Sequence, residues 1–158
     1  MLIKFKKLHP DAKLPIQSEG DVGFDLFSCE AVSAIAGRVS KVRTGLVIAN
    51  YEYNVDLNIR SQTGDGLTVT VYPKVEGRGS LGSKGIFPVA GVIDPIYRGE
   101  LVVTLANMSG EDYEIKKGDR IAQFVFYTCL TTPFLEFQEV IDIVPTRRGD
   151  KGFGSTGR

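Results

Sequence analysis

The chain has no tryptophan, a single histidine and two cysteines. Each scarcity removes a class of chemistry. His9 sits in an N-terminal "LHPD" turn, a poor platform for a Ser-His or Cys-His nucleophile pair. Cys29 and Cys129 are far apart and read as small buried hydrophobes rather than a disulfide. A tetrahedral zinc site lacks ligands at usable spacing. No apolar run approaches the roughly 20 residues that span a bilayer. The opening "MLIKFKKLHP" has no long apolar segment of the secretory kind, so the expectation is a cytoplasmic protein with no membrane partner. Nineteen Lys and Arg balance nineteen Asp and Glu, which leaves no electrostatic case for nucleic-acid binding. Chemistry is left to carboxylates, arginines, backbone amides and a hard, oxygen-bound metal.

What is present is alternation. A chain of 158 residues is long enough for one domain with a real core. "YNVDLNI" puts Tyr53, Val55, Leu57 and Ile59 on one face, and "LTVTVY" does the same with Leu67, Val69 and Val71. "ELVVTLAN" and "RIAQFVFY" are more apolar, as strands buried on both faces are. Turn signals separate them: "EGD", "AGR", "TGDG", "YRGE", "SGED" and "KKGD". No amphipathic helix longer than two turns and no internal repeat is visible. The pattern predicts an all-β sandwich, jelly roll or barrel over residues 1–145. From Pro145 the alternation stops, and 146–158 reads as a flexible, Gly-rich C-terminal arm with one large apolar side chain, Phe153.

Five stretches carry chemistry. "GDVGFDLFS" embeds Asp25 between Phe24 and Leu26, and a charge there needs a partner or a metal unless its face meets water. "GRGSLG" at 77–82 matches G-x-G-x-x-G, but no helix follows it as a dinucleotide site requires. It reads as a plain turn or as a phosphate cradle of backbone amides with Arg78 and Lys84. In "AGVIDPIYRGEL", Pro95 fixes a turn that presents Asp94 and Tyr97. "GDRIAQFVF" places Arg120 and Gln123 in an apolar strand, where an anionic ligand would serve both. "RRGDKGFGSTGR" closes the chain. The tripeptide "RGD" at 148–150 and the sequon "NMS" at 107–109 are chance matches in a cytoplasmic chain.

Taken in order, "VGFDLFS", "AGVIDPIYRGEL", "GDRIAQFVF" and "RRGDKGFGSTG" resemble the first, third, fourth and fifth motifs of the trimeric dUTPases. The second motif departs. The family has Arg-Ser, then Gly or Ser, then Leu; here Gly79 stands where the Ser is expected and Ser80 lies one position on. "IRSQTGDG", with Arg60 and Ser61, is a rival placement. Arg78 is preferred because "SKGI" then leads into the third motif, which leaves residues 61–76 as an apparent insertion. Lys151 replaces a Gly common in the fifth motif, and Pro88 falls near the place of an Asn beside the uracil.

The resemblance implies a jelly-roll-like subunit and Mg²⁺-dependent hydrolysis of dUTP to dUMP and pyrophosphate, keeping uracil out of DNA and supplying dUMP. It implies that Asp25 holds Mg²⁺ through water and that Asp94 is the general base. Tyr97 becomes the floor under C2′, and the backbone of Gly91, Val92 and Ile93 reads uracil. Arg78, Gly79, Ser80 and Gln123 meet phosphates. Phe153 stacks on the base, while Arg148, Gly154, Ser155 and Thr156 close over the phosphates. It further implies a homotrimer with shared active sites. Two rivals share the fold: a dCTP deaminase, and a regulatory protein-binding module in which 61–76 carries the partner surface.

Overall fold

The computed structural model describes residues 1–57, 67–130 and 135–147. Among them the order is β1 (Lys4–Lys7), β2 (Phe24–Phe27), β3 (Val32–Ala34), β4 (Val39–Arg43), β5 (Leu46–Asn50), β6 (Asn54–Leu57) and β7 (Leu67–Glu76). A single-turn helix α1 (Gly79–Gly82) follows, then β8 (Ile86–Pro88), β9 (Val102–Asn107), β10 (Tyr113–Ile115) and β11 (Arg120–Cys129). The architecture is all-β and jelly-roll-like, as the alternation predicts. Every pairing of these strands is antiparallel. No described helix is long and apolar enough to cross a membrane.

A four-stranded sheet in the order β2-β11-β7-β6 carries the residues of interest. A three-stranded sheet β4-β9-β8 and the pairs β1-β5 and β10-β3 complete the described strands. Their inward faces form one core that includes Leu26, Val42, Leu46, Leu101, Val103, Leu105, Ile115, Ile121 and Phe124. Phe124 is fully buried, and truncating such a ring to Ala typically costs about 3–5 kcal/mol. β9 is enclosed along most of its length, as its apolar sequence requires. Tyr53, just before β6, packs against the core; on β6 Val55 is half-buried while Asn54 and Asp56 are exposed.

The stretch read as an insertion is in part a structural strand. Its described portion, β7, lies between β11 and β6 and pairs with β11 from Thr70–Cys129 to Glu76–Gln123. Ten residues of cross-strand bonding place the end of β7, and therefore Arg78 just beyond it, at a defined position in the sheet. Residues 58–66, including the rival Arg60 and Ser61, lie outside the described residues. Both described cysteines are free thiols; Cys29 is buried and Cys129 half-buried. Burial is the main reason the Cys29 thiol is pushed up from its ordinary pKa.

Candidate active site

Strand register assembles the site. Gln123 of β11 lies opposite Asp25 of β2 on one side and opposite Glu76 of β7 on the other. Directly opposed residues on neighbouring strands share a face, so three polar side chains form a row across the sheet. The ladder between β11 and β2 is irregular between Arg120 and Ala122, a bulge of the kind that re-aims a side chain. Beyond β7 the chain runs through Gly77 and Arg78 into α1, with Arg78 at the cap position.

The consequence is a charge cluster. Arg78 Nε is 2.8 Å from Asp25 Oδ1, and Arg120 Nη1 is 3.2 Å from Asp25 Oδ2. The Asp25 side chain is only 15% exposed, so a carboxylate there needs this compensation. Gln123 donates from Nε2 to the Gly77 carbonyl at 2.7 Å, tying β11 to the turn that carries Arg78. A Cβ at Gly23 would overlap the Gln123 amide, which explains a glycine just before β2. Arg120 and Gln123, expected from the sequence to meet an anionic ligand, also have partners within the protein, Asp25 and the Gly77 carbonyl.

These groups line an open cleft of about 590 Å³, together with Asp21, Gly79, Ser80 and Tyr127. Its far wall was not legible from sequence. Lys74 Nζ contacts Glu76 Oε1 at 2.5 Å, and the Tyr127 hydroxyl donates to the same oxygen at 3.0 Å. The hydrogen bond from Lys74 holds the Glu76 carboxyl below the usual carboxylate range. The bond to Glu76 raises both the Lys74 ammonium and the Tyr127 phenol. The available signal was the pairing of "YPKVE" with "RIAQFVFY", which needs a register that a single sequence does not specify.

Asp94 stands elsewhere. It lines a separate small cleft of about 180 Å³ with Tyr72, Val92, Ile93, Pro95 and Cys129. Its carbonyl accepts the Tyr97 N–H at 2.9 Å, closing the turn expected at Pro95. Asp94 is exposed, and the Tyr97 hydroxyl donates to the Glu100 carbonyl at 3.2 Å. Gly91 packs against the backbone of Val75, where a Cβ would overlap the Val75 carbonyl, and its own carbonyl accepts the Val75 N–H at 2.8 Å. Ile93 donates to the Pro73 carbonyl at 3.1 Å, and Val92 bridges to Lys74. So one chain gathers Asp25, Arg78, Gly79, Ser80 and Gln123 in one cleft, with Asp94 lining another. Arg148, Phe153, Gly154, Ser155 and Thr156 lie outside the described residues.

A hard divalent cation suits the oxygen donors of the main cleft, which include the carboxylates of Asp21, Asp25 and Glu76. Among the described residues, no group of three or more His, Cys, Asp and Glu could hold a metal by itself. A cation there would share its coordination with an anionic ligand, as Mg²⁺ does with one or two carboxylates plus phosphate oxygens.

A family model described as dUTPase matches residues 11–157. A deoxyuridine 5'-triphosphate nucleotidohydrolase of Helicobacter pylori (strain P12) is 35% identical over 158 residues, covering 99% of this chain and 97% of the relative. One from Nautilia profundicola is 37% identical over 163 residues and covers all of both chains. The dUTPase of Staphylococcus bacteriophage 80alpha with dUPNHPP shares the fold, with a TM-score of 0.77, 23% identity and 99% of each chain covered. A mutant dUTPase from phage phi11 of S. aureus, whose structure concerns a structural Mg(II) ion, gives a TM-score of 0.69 at 19% identity, over 90% of this chain and 99% of that one.

Proposed function

The chain belongs to the dUTPase family, and from that premise we propose that it is a dUTP diphosphatase, hydrolysing dUTP to dUMP and pyrophosphate in the cytoplasm. The observation that carries this reading is the convergence of Arg78 and Arg120 on Asp25 in an open cleft. Two guanidiniums, one at the start of β11 and one in the turn between β7 and α1, offer planar, multi-donor contacts to phosphate oxygens. Ser80 and the Gly79 backbone add donors at the same edge. Gln123, tied to Gly77, joins β11 to the turn that carries Arg78.

Mg²⁺, when bound, supplies positive charge against the phosphate oxygens, with Asp25 as its water-mediated protein ligand. Asp94 accepts a proton from the attacking water as the bond between the α-phosphate and pyrophosphate breaks. A positioned general base typically contributes about 10²–10⁴-fold. Tyr97 blocks the space a 2′-hydroxyl would need, and the backbone of 91–93 meets the uracil edge. Phe153 covers the base while Arg148, Gly154, Ser155 and Thr156 close on the phosphates, with 146–158 acting as an arm of the 1–145 domain.

The active unit is a homotrimer with shared sites. Two observations support it. Asp94 and Asp25 line different clefts of one chain. The segment 135–147 has no regular structure and leaves Phe137, Ile141, Ile143 and Val144 82–100% exposed, apolar surface that a neighbouring copy would cover. The test is pyrophosphate release across a panel of nucleoside triphosphates with Mg²⁺. Release confined to dUTP is expected; ammonia from dCTP instead would overturn the reading.

A further inference from the structure

Steric exclusion of a hydroxyl works only if the excluding ring is held still. Tyr97 is 45% exposed, so packing alone does not hold it. Its hydroxyl donates to the Glu100 carbonyl at 3.2 Å, and its ring lies so close over Gly99 that any Cβ there would overlap it. The position of the ring is therefore set by the position of residue 100.

Residue 100 is pinned from several directions. The Glu100 carboxylate is largely buried, and its Oε1 accepts the Gly45 N–H at 2.9 Å. Both of its oxygens face Arg43 Nε, at 3.2 and 3.0 Å. The next residue, Leu101, donates to the Leu46 carbonyl at 2.8 Å, and its own carbonyl accepts the buried Thr44 hydroxyl at 2.6 Å. Gly45 has φ +69°, and a Cβ there would press on His9 and Ala12 at under 3 Å. The post to which Glu100 is tied is thus itself close-packed against the N-terminal segment.

We propose that Glu100 is a positioning residue for sugar discrimination: its carboxylate fastens the 97–100 turn to Gly45 and Arg43, and its carbonyl then holds the Tyr97 ring where a ribose hydroxyl would sit. This rests on the reading of Tyr97 as the sugar floor. Glu100 touches no substrate; it acts through Tyr97. Losing the carboxylate lets the carbonyl drift and the ring give way, so the effect falls on the choice between UTP and dUTP rather than on phosphate binding.

The experiment measures kcat/KM for dUTP and UTP in the full-length protein carrying Tyr97→Ala, Tyr97→Phe, Glu100→Ala, Glu100→Gln and the Tyr97→Phe/Glu100→Ala double change. The expected result is a UTP-to-dUTP ratio about tenfold higher in Glu100→Ala, with no more than about twofold added by Glu100→Ala once Tyr97→Phe has cut the link. Glu100→Gln keeps an acceptor for Gly45 and is expected to retain most of the discrimination. If Glu100→Ala does not fold, Arg43→Ala takes its place in the same cycle. A raised ratio in Tyr97→Ala with an unchanged ratio in Glu100→Ala, or fully additive effects in the double variant, overturns the role of Glu100 alone. No gain for UTP in Tyr97→Ala overturns the Tyr97 reading and this proposal with it.

Discussion

Asp25 and Arg78 form an ion pair of 2.8 Å, and Arg120 takes the second Asp25 oxygen at 3.2 Å. In the free protein the carboxylate proposed for the metal is thus held by two cations suited to the phosphates, a cluster that keeps a net positive charge. A triphosphate competes with Asp25 for both guanidiniums, and each one it draws away releases a carboxylate oxygen. Nucleotide and cation should then bind in concert. Arg120→Gln frees one oxygen permanently, so it should raise the Mg²⁺ affinity of nucleotide-free protein by about tenfold, within the usual range of coupling between sites. Calorimetric titration of Mg²⁺ into both proteins checks it; equal affinities would remove the exchange.

The Arg78 and Arg60 variants would decide where the second motif lies. The Arg78 guanidinium faces the cleft, and Ser80 lines the same wall. Arg78→Ala should lower kcat by about 10²-fold or more, the scale seen when one donor to a developing charge is removed. Arg60→Ala should change it little. Steady-state pyrophosphate release from the two variants is sufficient, and equal losses would return the motif to Arg60 and Ser61.

The Lys74–Glu76 pair gives a pH signature. Glu76 titrates below its unfolded value, so its contribution to stability is complete above that value and is lost as pH falls through the depressed one. Lys74→Ala should lower the urea midpoint slightly at neutral pH, because the pair is partly exposed and screened. The difference from the parent protein should begin to shrink near about pH 4, where free glutamates protonate, and close as pH falls through the depressed Glu76 value. A deficit that persists undiminished at pH 3 would mean Lys74 acts through packing instead.

How far these features could be read in advance varies by residue. The strands were legible because period-2 alternation is local: Tyr53 and Val55 are half-buried while Asn54 and Asp56 are exposed, as their spacing requires. Asp25 announced itself by chemistry, a charge among apolar neighbours, and the turn at Asp94 by its proline. Glu76, Lys74 and Tyr127 gave no such sign. They meet because β7 and β11 pair in one register, a long-range choice that a shift of one residue would undo. Arg120 was visible as a charge in an apolar strand, but its contact with Asp25 was not. The separation of Asp94 from Asp25 could not be read from order along the chain, since motif order carries no distance.

Because the chain lacks tryptophan, Phe153→Trp introduces a single reporter. Phe153 lies outside the described residues, so this prediction rests on the arm's composition and its resemblance to the fifth motif. Emission should change when a non-hydrolysable dUTP analogue and Mg²⁺ bind, and activity should largely survive because ring area is kept. An unchanged spectrum at saturating ligand would mean the ring does not cover the base.

The separation of clefts makes the shared site testable by mixing. In a closed three-fold ring, each site would take the Asp94 turn from one chain, the arm from a second, and the Asp25, Arg78 and Gln123 cleft from the third. Asp94→Ala alone leaves every site without its base. Truncation after Pro145 alone leaves every site without its arm. Each variant should be nearly inactive by itself. Co-refolded in equal amounts, chains assort at random, and a site is whole when its Asp94 donor is truncated and its arm donor carries Asp94→Ala. Those are independent draws of one half each, so about a quarter of sites should be whole, and activity should recover to about a quarter of the parent value. If base and arm came from one chain, no mixture could rebuild a site. Native mass spectrometry confirms that mixed trimers form; mixed trimers with no recovered activity would rule out assembly of the site from three chains.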